Sequence, residues 1–316
     1  MERIIGRYTG EIHGTLMIAF GAMHGNEPAG VKALQSIFAA LQNEPLDNPS
    51  FRFKGRLLGV IGNIKAYKKG VRFIEKDLNR QWTSKNIALV KRTPLEQLEP
   101  ELQELKSLLE LVEQEISDYK PTRIVILDLH TTTADGGIFT LPAQDIDSEG
   151  IALELHAPVI TGLLEGIAGT TLHYFVQENF DTKISAVTFE SGQHDEPLSV
   201  NRAIAAITNC LRTINCVRQQ DVENKHDKIL IEFSAKLPRK SKLMYVHSIN
   251  SDDNFVMHPG FKNFDAVKKG QLLAHDNAGE IKAKNNGRIL MPLYQKQGED
   301  GFFIIQTLDE PQGATR

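Results

Sequence analysis

Two short motifs carry side chains able to share one metal ion. In GAMHGNEPAG, His24 and Glu27 lie three residues apart, where an apolar run gives way to a helical pattern. An imidazole and a carboxylate can converge from such a strand-to-helix turn. Alone, the pair reads equally as a surface histidine and a helix-capping acid. A second apolar run, RIVILDL, delivers His130 in DLHTTT, which by itself reads equally as a capped or buried strand-end histidine. Taken together, His24, Glu27 and His130 are the two-histidine, one-carboxylate set of a catalytic zinc site that keeps a fourth position open for water.

Two further motifs bring the groups a hydrolytic site needs. Arg72, Asn79 and Arg80 fall in VRFIEKDLNRQW, in a loop after a strand that ends near Asn63. Guanidinium groups pair bidentately with carboxylates and stabilise oxyanions, so this loop suits an anionic substrate. Asp77 is placed to orient a zinc-bound histidine. A solvated charged loop would carry the same letters. Glu190 closes another apolar strand in VTFESG, where a carboxylate can act as general base on water acidified by a metal, or simply cap a strand end.

The elements that must position these groups alternate along the first two thirds of the chain. Residues 14–21, 55–61, 123–129 and 184–189 are apolar runs of the kind found in buried strands. Between them, Val31, Leu34, Ile37, Phe38 and Leu41 share a helical face, with Asn26 as expected N-cap and Pro28 in the first turn. A second helix is expected through Leu98, Leu102, Leu105, Leu109, Val112 and Ile116, behind a capping box of Thr93 and Glu96. Val200, Ala203, Ile204, Ile207, Leu211 and Ile214 mark a third. The alternation predicts an α/β layer fold whose parallel or mixed sheet is covered by helices, and ligands in such sheets collect at the carboxyl ends of the strands. Beyond about Gln220 the helical period disappears and short β-type segments take over. There, residues 279–292 read as a hairpin turning at Asn285, Asn286 and Gly287.

Composition narrows the class. The 316 residues, about twice an average domain, are 41% hydrophobic, with 36 basic against 40 acidic side chains and a net charge of −4. That suits an ordinary globular protein and argues against nucleic-acid binding through overall charge. Cys210 and Cys216 match no zinc or redox spacing and read as reduced thiols. The apolar stretch 16–23 is too short to span a membrane and has no cleavage-site pattern, so a cytoplasmic protein without membrane partners is expected. A homo-oligomer stays open.

HGNE, the R-x-x-x-x-x-x-N-R spacing, DLH and the later strand-end glutamate, in this order, resemble the succinylglutamate desuccinylase and aspartoacylase family, akin to the zinc carboxypeptidases. The resemblance spans the whole chain. It implies a carboxypeptidase-like mixed sheet flanked by helices over residues 1–220, and a smaller all-β, barrel-sandwich-like domain over 221–316 beside the cleft. It further implies zinc held by His24, Glu27 and His130, with Glu190 as general base and Arg72 polarising the scissile carbonyl. Asn79 and Arg80 would grip the α-carboxylate of an N-acyl amino acid. The family's arginine for a second carboxylate has no match before Glu190, where the stretch offers only Lys183, so a neutral side chain is expected on the substrate. Tyr294 lies near the family's C-terminal tyrosine without evident register. Residues 266–292 also resemble lipoyl and biotinyl hairpins, but lack the lysine motif that such carriers modify. A zinc carboxypeptidase of short peptides and a non-catalytic metal or metabolite binder are the alternative functions. Glu190 favours catalysis, because a structural site needs no base.

Overall fold

Leu16, Met17, Ile18, Ala19 and Phe20 are all completely buried, which in a strand demands cover on both faces. The computed structural model describes residues 1–222 and 225–308. The chain begins β1 (Ile4–Thr9), β2 (Ile12–Gly21), α1 (Ala29–Asp47), β3 (Lys54–Ile61), α2 (Ile64–Lys69), α3 (Ser84–Arg92), α4 (Pro100–Tyr119) and β4 (Arg123–Thr132). It continues with β5 (Phe139–Pro142), α5 (Ile146–Glu154), β6 (Val159–Thr161), α6 (Leu163–Gly166), α7 (Thr171–Tyr174), β7 (Ile184–Gln193), α8 (Leu198–Thr213) and α9 (Lys225–Ser234). The remainder is β8 (Lys240–Ser248), β9 (Val256–Met257), β10 (Ala266–Val267), β11 (Leu272–Asp276), β12 (Gly279–Lys282), β13 (Gly287–Leu290) and β14 (Asp300–Thr307).

These strands form an eleven-stranded mixed sheet in the order β1-β3-β2-β4-β7-β5-β6-β8-β14-β13-β10, and a second sheet of three, β12-β11-β9. The centre, β3-β2-β4-β7, is parallel. Its side chains alternate between two apolar layers: Leu16, Ile18 and Phe20 pack with Leu105 and Leu109 of α4, while Met17 and Ala19 pack with Leu34 of α1 and Ile207 of α8. The expected α/β architecture is therefore present: all four apolar runs lie in strands, and the three helical faces lie in α1, α4 and α8, except for Leu98 and Ile214, which fall just outside α4 and α8. No helix among the described residues is long and apolar enough to cross a membrane. Cys210 and Cys216 are free and buried.

Local details depart from expectation. Asn26 does not cap α1, which starts at Ala29 after Pro28. Its amide instead donates to Gln295 Oε1 at 2.8 Å, drawn by a partner 269 residues away. The Thr93–Glu96 capping box does not form either. Thr93 ends α3, its hydroxyl donating to the Leu89 carbonyl at 2.8 Å, and α4 starts only at Pro100. Beyond Gln220 the described residues contain one α-helix, α9, which packs on α8.

Residues 279–292 do supply two strands, but not a hairpin: β12 pairs with β11, whereas β13 pairs with β14 and β10. The reason is burial. Leu273 and Ala283 come from one side, and Ile289, Phe302 and Ile304 from the large sheet. They share one apolar cluster, so the two strands cover it from opposite faces instead of lying side by side. The large sheet itself runs on past residue 220, because β8 pairs in parallel with β6.

The turn leaving β2 rests directly on α2. A Cβ placed on Gly25 would run into the backbone of Ala66 and Tyr67, and the Gly25 amide donates to the Arg72 carbonyl at 3.0 Å. No side chain fits between these backbones. Gly25→Ala is accordingly expected to destabilise the protein by about 1–3 kcal/mol through overpacking. Urea denaturation with an unchanged m-value checks this, and an unshifted midpoint would contradict the close approach.

Candidate active site

Sheet register assembles the first part of the site. Gly21 of β2 lies opposite Leu129 of β4, and His130 lies opposite Glu190 of β7. The carboxyl ends of three parallel neighbours therefore deliver His24, His130 and Glu190 to one edge. Ala22, in the left-handed region at φ 54°, turns the chain off β2 towards Glu27.

His24, Glu27 and His130 are 4%, 2% and 3% exposed. Glu27 sits between the imidazoles, its Oε1 2.9 Å from His24 Nδ1 and its Oε2 3.1 Å from His130 Nδ1. Oε2 also accepts from the Thr131 amide at 3.0 Å. The three ligand atoms lie within 4.8 Å of one another, a spacing that one divalent ion can bridge. The remaining ring nitrogens face acids: His24 Nε2 donates to Asp77 Oδ1 at 3.0 Å, and His130 Nε2 lies 3.1 Å from Asp128 Oδ2, close enough for charge pairing but out of line for a hydrogen bond. Carboxylates behind imidazoles, which fix tautomer and ring orientation, are the usual backing of metal-binding histidines. The donor set thus fits zinc. Asp77 stands where the sequence reading put it. Asp128 was missed, although two residues before His130 in a strand is the same face.

The loop carrying the arginines is held by acids. Asp77 Oδ2 accepts from Arg72 Nε at 3.1 Å and Nη2 at 2.8 Å, and Arg72 Nη1 reaches to 3.6 Å from Glu27 Oε1. Glu101 of α4, 1% exposed, accepts from the backbone amides of Ile74, Glu75 and Lys76 at 2.7, 3.2 and 3.2 Å. A helical period shows Glu101 as one more residue of α4, so its grip on the loop was not foreseen. Asn79 Oδ1 accepts from the Thr171 amide at 3.0 Å. Arg80 arrives with its charge already matched, donating to Asp300 Oδ2 at 2.6 Å and to the Asn79 carbonyl at 2.8 Å. Glu299 lies 4.0 Å from its Nε.

Burial and charge split the acids by state. Burial pushes Glu27 upward, but the charges and hydrogen bonds of His24 and His130 outweigh it and leave the carboxyl well below its usual range. Burial likewise opposes ionisation of Asp77, and Arg72 and His24 overcome it. For His130, burial disfavours the charged ring, yet Asp128 and Glu27 raise it well above the ordinary value. Glu190 goes the other way. Burial pushes it up to about 8, with Glu27 and Asp128 adding to the shift and His130 and Arg72 opposing it. Its Oε2 is buried without a hydrogen-bond partner.

One cleft of about 800 Å³, its solvent mouth included, collects the candidate ligands, the arginines and Glu190, while Asp77, Glu101 and Asp128 support it from behind. Every residue singled out for catalysis, metal or substrate, namely His24, Glu27, Arg72, Asn79, Arg80, His130 and Glu190, faces it. Lys183 does not: at the amino end of β7, it pairs with Asp147 at 2.7 Å. Nor does Tyr294, whose hydroxyl donates to the backbone around His258 and Phe261. Its neighbours Leu293 and Gln295 line the cleft instead. Sequence reading also missed His194, four residues past Glu190. Its Nδ1 is bonded to Thr131 Oγ1 at 2.7 Å, and its buried Nε2 has no partner. Burial lowers its pKa, which favours the neutral ring.

The imidazole–carboxylate cluster thus sits at the carboxyl ends of parallel strands in a mixed α/β sheet, where ligand sites of such sheets collect. Residues 13–214 match the model of the succinylglutamate desuccinylase/aspartoacylase catalytic domain, and the chain belongs to that family. A probable aspartoacylase from Nostoc sp. is 32% identical over 121 residues, a local match covering 37% of this chain and 35% of that protein. The succinylglutamate desuccinylase of Pseudomonas putida is 24% identical over 294 residues, 88% of this chain and 78% of that one. The crystal structure of succinylglutamate desuccinylase from Vibrio cholerae shares the fold with a TM-score of 0.62 at 18% identity, covering 93% of this chain and 82% of that one.

Because Asp128 faces the far nitrogen of His130, Asp128→Asn is expected to weaken zinc binding by about 10-fold or more. Competition against a chromogenic chelator measures this, and an affinity equal to wild type would remove Asp128 from the site.

Proposed function

We propose that this chain is a zinc-dependent hydrolase of the deacylase type, cleaving the amide bond of an N-acyl amino acid or a related small amide that bears a free carboxylate. The observation carrying this reading is Glu190. A buried carboxylate with an unpartnered oxygen, lining the same cleft as the His24, Glu27, His130 cluster, contributes nothing to a purely structural metal site, whereas a hydrolase needs it.

Zinc held by His24, Glu27 and His130 would supply Lewis acidity, acidifying water and polarising a carbonyl oxygen. Glu190 takes the proton of the attacking water and passes it to the leaving amide nitrogen. Burial pushes this carboxyl up to about 8, which suits the return of the proton to nitrogen, while a divalent cation beside it would favour the ionised form that accepts the proton first. Arg72, braced by Asp77, donates to the carbonyl oxygen as negative charge grows there. Asn79 and Arg80 hold the substrate carboxylate, with Asp300 as a resident competitor for the same guanidinium. Residues 1–220 act as the catalytic domain, and the described part of residues 221–316 as a β-rich wall that contributes Met291, Leu293 and Phe303 to the cleft.

A hydrolysis screen of N-acetyl, N-succinyl and N-formyl amino acids, with short peptides alongside, tests the reaction class. On the best substrate, zinc-loaded Glu190→Gln should keep its metal and lose about 100-fold or more in kcat. Near wild-type turnover would assign the base elsewhere. Arg80→Ala should chiefly raise KM and Arg72→Ala chiefly lower kcat, since the first contact exists in ground and transition states alike while the second strengthens in the transition state. Removing the competitor acts oppositely: Asp300→Asn is expected to lower KM for carboxylate substrates. If KM stays put in both Arg80→Ala and Asp300→Asn, steady-state kinetics will have excluded Arg80 from carboxylate recognition.

A further inference from the structure

One side of the cleft next to Asn79 and Arg80, across from Glu299 and Asp300, is lined mainly by apolar side chains, with Thr170 among them. We infer that residues 163–172 form a subsite for an aliphatic or aromatic side chain, so that the preferred substrates are N-acyl derivatives of apolar amino acids. This rests on the N-acyl amino acid reading above and narrows it.

The subsite is fastened to the residues proposed to hold the carboxylate. The Thr171 amide donates to Asn79 Oδ1 at 3.0 Å, and the Trp82 amide donates to the Gly169 carbonyl at 3.0 Å. Gly169 has φ +70° and lies so close to the Arg80 carbonyl that a Cβ would collide with it. A side chain on the carbon next to a carboxylate held by Asn79 and Arg80 is therefore delivered to this segment. It meets Leu163 and Leu172, both buried, and the half-buried Leu164 and Ile167, with Leu141 and Phe303 completing the wall.

Charge selects in the same direction. Among the described residues lining the cleft, the basic side chains other than imidazoles are Arg72 and Arg80, and these already pair with Asp77 and Asp300. The acids Glu299 and Asp300 also line it. A second substrate carboxylate would be buried against leucines with no cation to meet it and two acids nearby, which is costly. An apolar side chain gains by leaving water there.

Isothermal titration of zinc-loaded Glu190→Gln with N-acetyl-L-leucine, N-acetyl-L-phenylalanine, N-acetyl-L-aspartate and N-acetyl-L-glutamate reads the subsite without turnover. The apolar pair should bind about 100-fold more tightly than the acidic pair. In Ile167→Arg, checked for wild-type circular dichroism and Tm, the ratio should move towards the acidic pair by about 10-fold or more. Equal or tighter binding of the acidic pair, no binding of any of the four, or an unmoved ratio in Ile167→Arg overturns the inference. Wild-type turnover separates the two readings. Apolar amides that bind as expected but are never cleaved would sink the deacylase reaction and leave the subsite standing. Cleavage that prefers acidic side chains would sink the subsite and leave the reaction standing.

Discussion

Both oxygens of one buried carboxylate, that of Glu27, are shared between two strand ends. Removing such a group from water is costly unless every lone pair is met. Here His24 meets Oε1, while His130 and the Thr131 amide meet Oε2. The turn after β2 and the last residues of β4 cannot move independently without stranding that charge. Asp77 and Asp128 stand behind the two rings, so with both imidazoles neutral, as metal ligation requires, three carboxylates face the single guanidinium of Arg72. That imbalance is the physical ground for reading a divalent ion into the same space.

The constraint reaches outward through Asp77, which touches His24, Arg72 and the Asn79 amide at once. Placing the arginines is therefore not a separate task from orienting the imidazole. Glu101 completes the arrangement by taking three consecutive backbone amides of the loop, groups that would otherwise lack partners in a partly buried turn. The far wall comes from the other end of the chain. Asp300 opens β14 and pairs with Arg80, so the charge of that guanidinium is matched by a segment remote from every motif that suggests catalysis.

Much of the fold was legible in the sequence because the central strands are buried on both faces. Such strands leave unbroken apolar runs, and the covering helices leave a 3.6-residue period. The site was legible for a related reason. His130 and Glu190 end such runs and His24 follows one, and the ends of parallel strands meet at one edge. Short-range signals did less well. Asn26 and Thr93 have the chemistry of helix caps but spend it elsewhere, Asn26 on Gln295 and Thr93 on the Leu89 carbonyl. A sound turn at Asn285–Gly287 bends the chain without pairing the strands on either side.

What the amino-acid sequence determined alone was periodicity and donor type: which segments are strands or helices, and which side chains could bind a metal, accept a proton or hold an anion. What only the tertiary structure decided was partnership. Asp128 matters because Thr171 and His130 lie against it, Glu101 because a loop folds over it, and His194 because its ring turns into the cleft. Arg80 is matched by Asp300, 220 residues away. Lys183, close to Glu190 in sequence, is carried by β7 to the opposite end of the sheet. A strand alternates its faces every residue and moves about 3.3 Å per step, so neighbours in sequence are soon separated in space, and sheet register alone determines which distant residues replace them.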